Sequence, residues 1–105
     1  MSTKKMVKAY RQGDVLIFID QKIPRGTKKL AHLTLAEGEV TGHAHRITEG
    51  EATLYERKGT LYLKVISDVA ALTHEEHHRI DLPRGDYEIR IQREYEPDGW
   101  RNVID

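Results

Sequence analysis

Short apolar runs broken up by glycine and proline leave this chain no room for a helix bundle, because no long stretch keeps its apolar residues at helical spacing. The clearest run is Asp86-Tyr87-Glu88-Ile89-Arg90-Ile91-Gln92-Arg93-Glu94-Tyr95. Tyr87, Ile89, Ile91 and Tyr95 fall on one face, while Glu88, Arg90, Gln92 and Glu94 fall on the other. Asp14-Val15-Leu16-Ile17-Phe18-Ile19 reads as a strand well buried on at least one face, entered through the turn-like Gln12-Gly13. Ala52-Thr53-Leu54-Tyr55-Glu56 and Leu61-Tyr62-Leu63-Lys64-Val65-Ile66 predict a hairpin across Arg57-Lys58-Gly59-Thr60. Arg79-Ile80-Asp81-Leu82 continues the meander, with Pro83-Arg84-Gly85 separating it from the 86–95 arm. Leu30 to Ala36 is a further candidate strand, and Glu37-Gly38-Glu39 turns the chain into Val40. Residues 67–73 are the one candidate helical turn, with Ser67 as its cap. After the turn Glu96-Pro97-Asp98-Gly99 comes a short last strand, whose Trp100 is expected to plug one end of the core. The expected fold is mostly β: a small single-domain antiparallel β-barrel or sandwich over residues 1–105, with 1–8 a flexible basic N-terminus.

Charge and composition remove several function classes. Lysine and arginine total 17 and so do aspartate and glutamate, so no long-range field recruits nucleic acid. Lys4, Lys5, Lys8, Lys28 and Lys29 are then read as a solvated face. No window approaches the apolar length of a membrane span, and Met1 to Lys8 lacks the apolar run of a signal peptide. With no cysteine there is no disulfide, no thiolate metal ligand and no cysteine nucleophile. The expected compartment is the cytoplasm. No glycine-rich phosphate loop or nucleophile-elbow serine is present.

What remains is histidine chemistry. Five of the six histidines fall in Gly42-His43-Ala44-His45-Arg46-Ile47 and His74-Glu75-Glu76-His77-His78. In a strand, His43 and His45 project from the same side with Cβ atoms roughly 6–7 Å apart, close enough to share one ion. Ile47 has their parity, which turns that face inward, and Gly42 permits a bulge or close approach beside them. His74-Glu75-Glu76-His77-His78 also matches the His-Glu-x-x-His string of zinc peptidases, in which His74 and His78 bind and Glu75 is the base, but only on a helix. Leu82-Pro83 follows too soon for that helix, and a loop running into a strand suits the segment better. His32 has no partner in sequence and is read as structural. Glu49, Glu76 and Glu88 are the carboxylates considered as ligands or acid/base groups.

Gly42-His43-Ala44-His45-Arg46-Ile47-Thr48-Glu49 resembles the first half of the cupin signature, which implies Glu49 as a metal ligand. Pro83 to Gln92 resembles the second half, except that Glu88 and Gln92 stand where the signature has histidine and asparagine. The chain also resembles, over nearly its whole length, a group of small uncharacterised proteins of phage and bacterial genomes. Gly13-Asp14-Val15, Gly42 to Arg46, His74 to His77, Leu82 to Tyr87, Gln92 to Tyr95 and Val103-Ile104-Asp105 carry that resemblance. It implies His77 rather than His78 as a ligand, whereas strand parity pairs His78 with Ile80 and Leu82.

The resulting expectation is a cupin-like protein that binds a divalent transition metal through His43, His45, His74 and His77, with Glu76 as candidate catalytic group. Imidazole and carboxylate ligands suit zinc, iron, nickel, copper or manganese without choosing among them. A site with an open position would act on a small-molecule ligand. The alternative is a non-catalytic binding or assembly module, phage-encoded, in which the histidines only tie loops together. Uncovered edge strands in a domain of this size would allow a homodimer.

Overall fold

The structure, a computed structural model, describes residues 8–37, 42–92 and 103–104. The expectations for the N-terminal residues before Lys8, the turn at Gly38, Tyr95, the 96–99 turn and Trp100 fall outside them. Nine strands are present and no helix among the described residues: β1 (Ala9–Gln12), β2 (Val15–Ile19), β3 (Lys28–Lys29), β4 (Thr34–Glu37), β5 (Ala44–Glu49), β6 (Ala52–Arg57), β7 (Thr60–Thr73), β8 (Ile80–Ile91) and β9 (Val103–Ile104). Among the described residues no helix is long and apolar enough to cross a membrane.

The strands form one sheet in the order β3-β6-β7-β8-β2-β1-β9, with β4 and β5 joined to it through β7. Pairing is antiparallel except between β1 and β9. No pairing among the described strands joins the two ends of this path, so the sheet is not closed into the barrel considered from sequence.

Two long strands organise the fold. The first part of β7 pairs with β6 and with the end of β8, as in Leu63↔Leu54 and Leu63↔Tyr87. The last part of β7 pairs instead with β5 and with the start of β8, as in Leu72↔Ile47 and Leu72↔Ile80. Between these parts the register slips, from Val65↔Gly85 to Val69↔Pro83, so Ile66, Ser67 and Asp68 face Arg84 alone. Such a bulge bends a strand and tightens its twist. Pro83 has no N–H to give to a ladder, which makes this a natural place for the interruption. Ser67 fixes the bulge: its hydroxyl accepts from Glu51 N–H and donates to the Val69 carbonyl, both at 2.8 Å. Gly50 lies so close that a Cβ there would be 2.8 Å from Ala70 Cα.

The bulge corrects two sequence expectations. Residues 67–73 are strand rather than a helical turn, because Ser67 caps a bulge and not a helix. Pro83-Arg84-Gly85 is not a connection either; β8 runs straight through it, and its hairpin with β7 closes at residues 74–79. The buried parity changes across the slip, from Leu63 and Val65 to Ala70 and Leu72 on β7, and from Leu82 to Tyr87 and Ile89 on β8.

The main core gathers Val15, Ile17, Leu35, Ile47, Leu54, Leu63, Leu72, Leu82 and Ile89. On the other face of β2, Ala9, Leu16 and Phe18 form a smaller cluster. Burial on both faces explains why β2 is a continuous apolar run rather than an alternating one. The hairpin expected across Lys58 and Gly59 is present in register, Arg57↔Thr60 closing it. Strand structure in the 30–36 stretch starts only at Thr34.

Candidate metal centre

Three segments meet at one end of the bent ribbon: the turn between β1 and β2, the entry to β5, and the loop between β7 and β8. The first is a two-residue turn, Gly13-Asp14, with Gly13 at φ +62° as such a hairpin requires. Gly42, at φ +88°, turns the chain into β5, and no atom of the described residues lies near where its Cβ would be, so it serves backbone conformation there. The third segment, residues 74–79, is neither helix nor strand. That removes the zinc-peptidase reading, which needs His74 and His78 one helical turn apart.

The loop brings His74 and His77 to His43 and His45. The His74 ring is central: its centroid lies 4.3 Å from that of His45, 4.7 Å from His77 and 5.7 Å from His43. The His77 ring stacks at 5.9 Å on His45 and also presses against Gly13, where a Cβ would be 2.7 Å from His77 Nε2. The four histidines singled out from sequence are thus neighbours. His78 is exposed and makes none of these ring contacts; the structure meets it through its backbone carbonyl. His32 is also exposed, its Nδ1 accepting the Thr34 N–H.

His45 is the buried member, 2% exposed. Its Nδ1 lies 2.8 Å from Gln12 Oε1, and the orientation of the Gln12 amide settles the tautomer. Gln12 Nε2 donates to the carbonyls of Leu72 (3.1 Å) and His78 (2.9 Å), so Oε1 must be the acceptor and His45 Nδ1 must carry the hydrogen. His45 Nε2 is left as a free lone pair, with Asp14 Oδ1 3.8 Å away. Fixing one imidazole nitrogen by a hydrogen bond so that the other can bind is the usual arrangement around metal-binding histidines. Burial, then the neighbouring His74, pushes the His45 pKa down to about 4 against a weaker opposing pull from Asp14, so the ring is neutral at pH 7.

Glu75 joins the group. Its Oε1 accepts the Ala44 N–H at 3.0 Å, and Arg46 approaches Oε2 at 3.4 Å. The Ala44 N–H, its own N–H and then Arg46 and His43 hold this carboxyl below its ordinary range. Nitrogen and oxygen atoms of His43, His74 and Glu75 lie within 4.8 Å of one another, a group that could hold a metal ion. A tetrahedral ion with bonds of about 2.0–2.1 Å sets its donors roughly 3.3 Å apart, so these side chains would close by about 1.5 Å at most. His74 Nδ1 accepts the Glu76 N–H at 3.0 Å. A bond from either nitrogen of His74 therefore gives up that contact: Nδ1 would exchange it for the ion, and Nε2 could bind only after a tautomer shift that puts the hydrogen on Nδ1.

The other carboxylates take different positions. Glu76, the candidate catalytic group, sits at the solvent rim with Oε2 3.6 Å from His43 Nδ1. Glu49, the ligand implied by the cupin resemblance, is turned away by the irregularity between Ile47 and Glu49 and pairs with Arg79 at 3.1 Å. Glu88 accepts from Arg90 Nε, on the face of β8 opposite Tyr87 and Ile89. Gln12 and Asp14 were not recognised from sequence as parts of the site, and Glu75 only within the peptidase reading. A polar glutamine at a strand position next to the Gly13-Asp14 turn was the one available signal for the first two.

A family model described as a Domain of unknown function (DUF8820) matches residues 11–92, and the chain belongs to that family. The match runs from within β1 to just past the end of β8 and so includes every residue of the cluster. No curated protein and no solved structure matches the chain.

Proposed function

We propose that this member of the family binds one divalent transition metal ion through His43, His45, His74 and His77, with Glu75 as a carboxylate donor on the same side. The observation that carries the reading is the convergence of three imidazoles on that of His74, with His45 Nε2 held as a free lone pair by Gln12. Imidazole and carboxylate donors fit zinc, iron, nickel, copper or manganese. The site resembles a cupin's in its His-x-His pair at the entry to β5, although its remaining donors come from a hairpin loop on an open sheet. A bound ion would supply Lewis acidity at the solvent-facing side. There Glu76 is placed to accept or return a proton, while Gln12 keeps His45 in one tautomer. The substrate in this reading is a small molecule.

A second reading is supported by the location of the cluster. It joins three separate segments, so an ion held by all its ligands would act as a structural staple of a binding or assembly module.

Elemental analysis of untagged protein tests the metal site. About one equivalent is expected, lost in His43→Ala and in His74→Ala. No metal, with both variants folded, rejects the site. Cobalt(II) substitution then separates the two readings: a visible spectrum that changes on adding azide indicates an open position, and an unresponsive one indicates a closed staple.

A further inference from the structure

His77 has a second side. Away from His45 and His74 it lines a groove of about 620 Å³, together with Arg11, Gly13, His78, Arg79 and Ile80. The lining contains two guanidinium groups and two imidazoles but no carboxylate. The two arginines differ. Arg79 is already neutralised, by Asp81 at 2.8 Å and Glu49 at 3.1 Å. Arg11 has only neutral partners among the described residues: Nε donates to the Gly13 carbonyl at 3.1 Å and Nη2 to Gln92 Oε1 at 3.2 Å. Those two bonds anchor the guanidinium and leave three of its five N–H donors for another acceptor. Asp14, the acidic residue on the adjoining turn, does not line the groove and has its Oδ1 3.8 Å from His45 Nε2 instead. A guanidinium held by two neutral acceptors, with no counter-charge among the described residues and beside imidazoles and an apolar Ile80, is a receptor for a planar or tetrahedral oxyanion.

We infer that this groove is an oxyanion subsite, anchored by Arg11, that takes the carboxylate or phosphate group of a small molecule whose remainder reaches the histidine cluster. In naming the substrate class it rests on the metal-site reading above, but anion binding in the groove does not itself need the ion.

The test is an NMR titration of ¹⁵N-labelled, untagged protein in chelator, with acetate and with inorganic phosphate, at constant pH and with chloride holding ionic strength fixed. The expected result is saturable shifts of the amides of Gln12, Gly13 and residues 77–80. Saturation by phosphate alone assigns a phosphoryl group, and saturation by acetate, alone or with phosphate, assigns a carboxylate. Arg11→Ala should weaken the affinity roughly tenfold or more, the size of one charge-assisted contact. Arg11→Lys, which keeps the charge and loses the fork, should recover only part, and Lys28→Ala, remote from the groove, should change nothing. If Arg11→Ala unfolds, Arg11→Gln takes its place. No saturation with either anion, or equal affinity in a folded Arg11 variant, overturns the subsite. Repeating the acetate titration with one equivalent of zinc separates the two readings. Anion binding without zinc uptake keeps the groove and removes the metal site, and zinc uptake without anion binding does the reverse.

Discussion

Strand β7 begins and ends in turns of opposite character. At its start Lys58 (φ +52°) and Gly59 (φ +82°) reverse the chain in two residues, and the ladder resumes at once with Arg57↔Thr60. Backbone conformation alone makes that turn. At its end six residues separate β7 from β8, none of them in the positive-φ region. That loop is held from outside itself: Gln12 Nε2 reaches the His78 carbonyl, the Ala44 N–H reaches Glu75, and Glu49 reaches Arg79. A turn specified locally needs nothing from the rest of the protein. A loop specified by distant side chains is ordered only as far as those partners are.

The strongest way to break this contrast is to remove Gln12. It is 2% exposed and satisfies His45 Nδ1, the Leu72 carbonyl and the His78 carbonyl together. Gln12→Ala removes all three of these bonds and should cost about 3 kcal/mol in urea unfolding with chelator present. It should also release the His45 tautomer, visible as loss of a slowly exchanging Nδ1–H signal by NMR. Gln12→Glu keeps the acceptor for His45 but loses both donors and turns a carboxylate toward two carbonyls. It should therefore restore little stability. A loss under about 1 kcal/mol in both variants would mean that the loop is held by its own residues after all.

The same contrast predicts two pH limits from two buried groups. His45 is depressed from 6.5 to about 4, so the folded chain stays neutral there while the unfolded chain takes up a proton below pH 6.5. Its contribution is complete above pH 6.5 and is lost as the pH falls toward 4, about 3 kcal/mol in all. Tyr87 lies outside the cluster, hydrogen-bonded to the Pro83 carbonyl, and burial raises it from 10.0 to about 12. Here the folded chain keeps a proton that the unfolded chain loses, so stability falls as the pH rises from 10 toward 12, by a similar amount. Unfolding in chelator across this range should show both limbs. His45→Asn should flatten only the acid one and Tyr87→Phe only the alkaline one.

How much of this could be read from sequence follows the same division. The Lys58-Gly59 hairpin and the apolar β2 run were legible because residues adjacent in sequence specify them. The four histidines were legible as a group because each motif supplies its own pair. The bulge at residues 66–68 was not: it depends on Gly50 and Glu51 meeting Ser67 from the turn between β5 and β6, and Ser67 looks like a helix cap in isolation. Gln12 was passed over as turn punctuation because its three partners lie 33, 60 and 66 residues away. Glu49 was implied by a signature that assumes even alternation along β5, and the irregularity after Ile47 spoils that alternation.

The smallest effects give the sharpest version of the comparison, because one substitution can be made in both kinds of turn. Gly59 has φ +82° and no atom within 4 Å of the place a Cβ would take. Gly59→Ala should therefore cost only the left-handed backbone term, about 1 kcal/mol, and leave metal content unchanged. Gly13 has φ +62°, so it carries a backbone term of its own, and its Cβ would stand 2.7 Å from His77 Nε2. The His77 ring must move, and with it the stacking on His45 and His74. Gly13→Ala should cost about 2 kcal/mol, the backbone term plus a displaced contact. Zinc titration of both variants decides what the difference means. Weaker zinc binding in Gly13→Ala alone ties His77 to the ion. Equal binding in both variants would remove His77 from the ligand set and leave His43, His45, His74 and Glu75 to hold it.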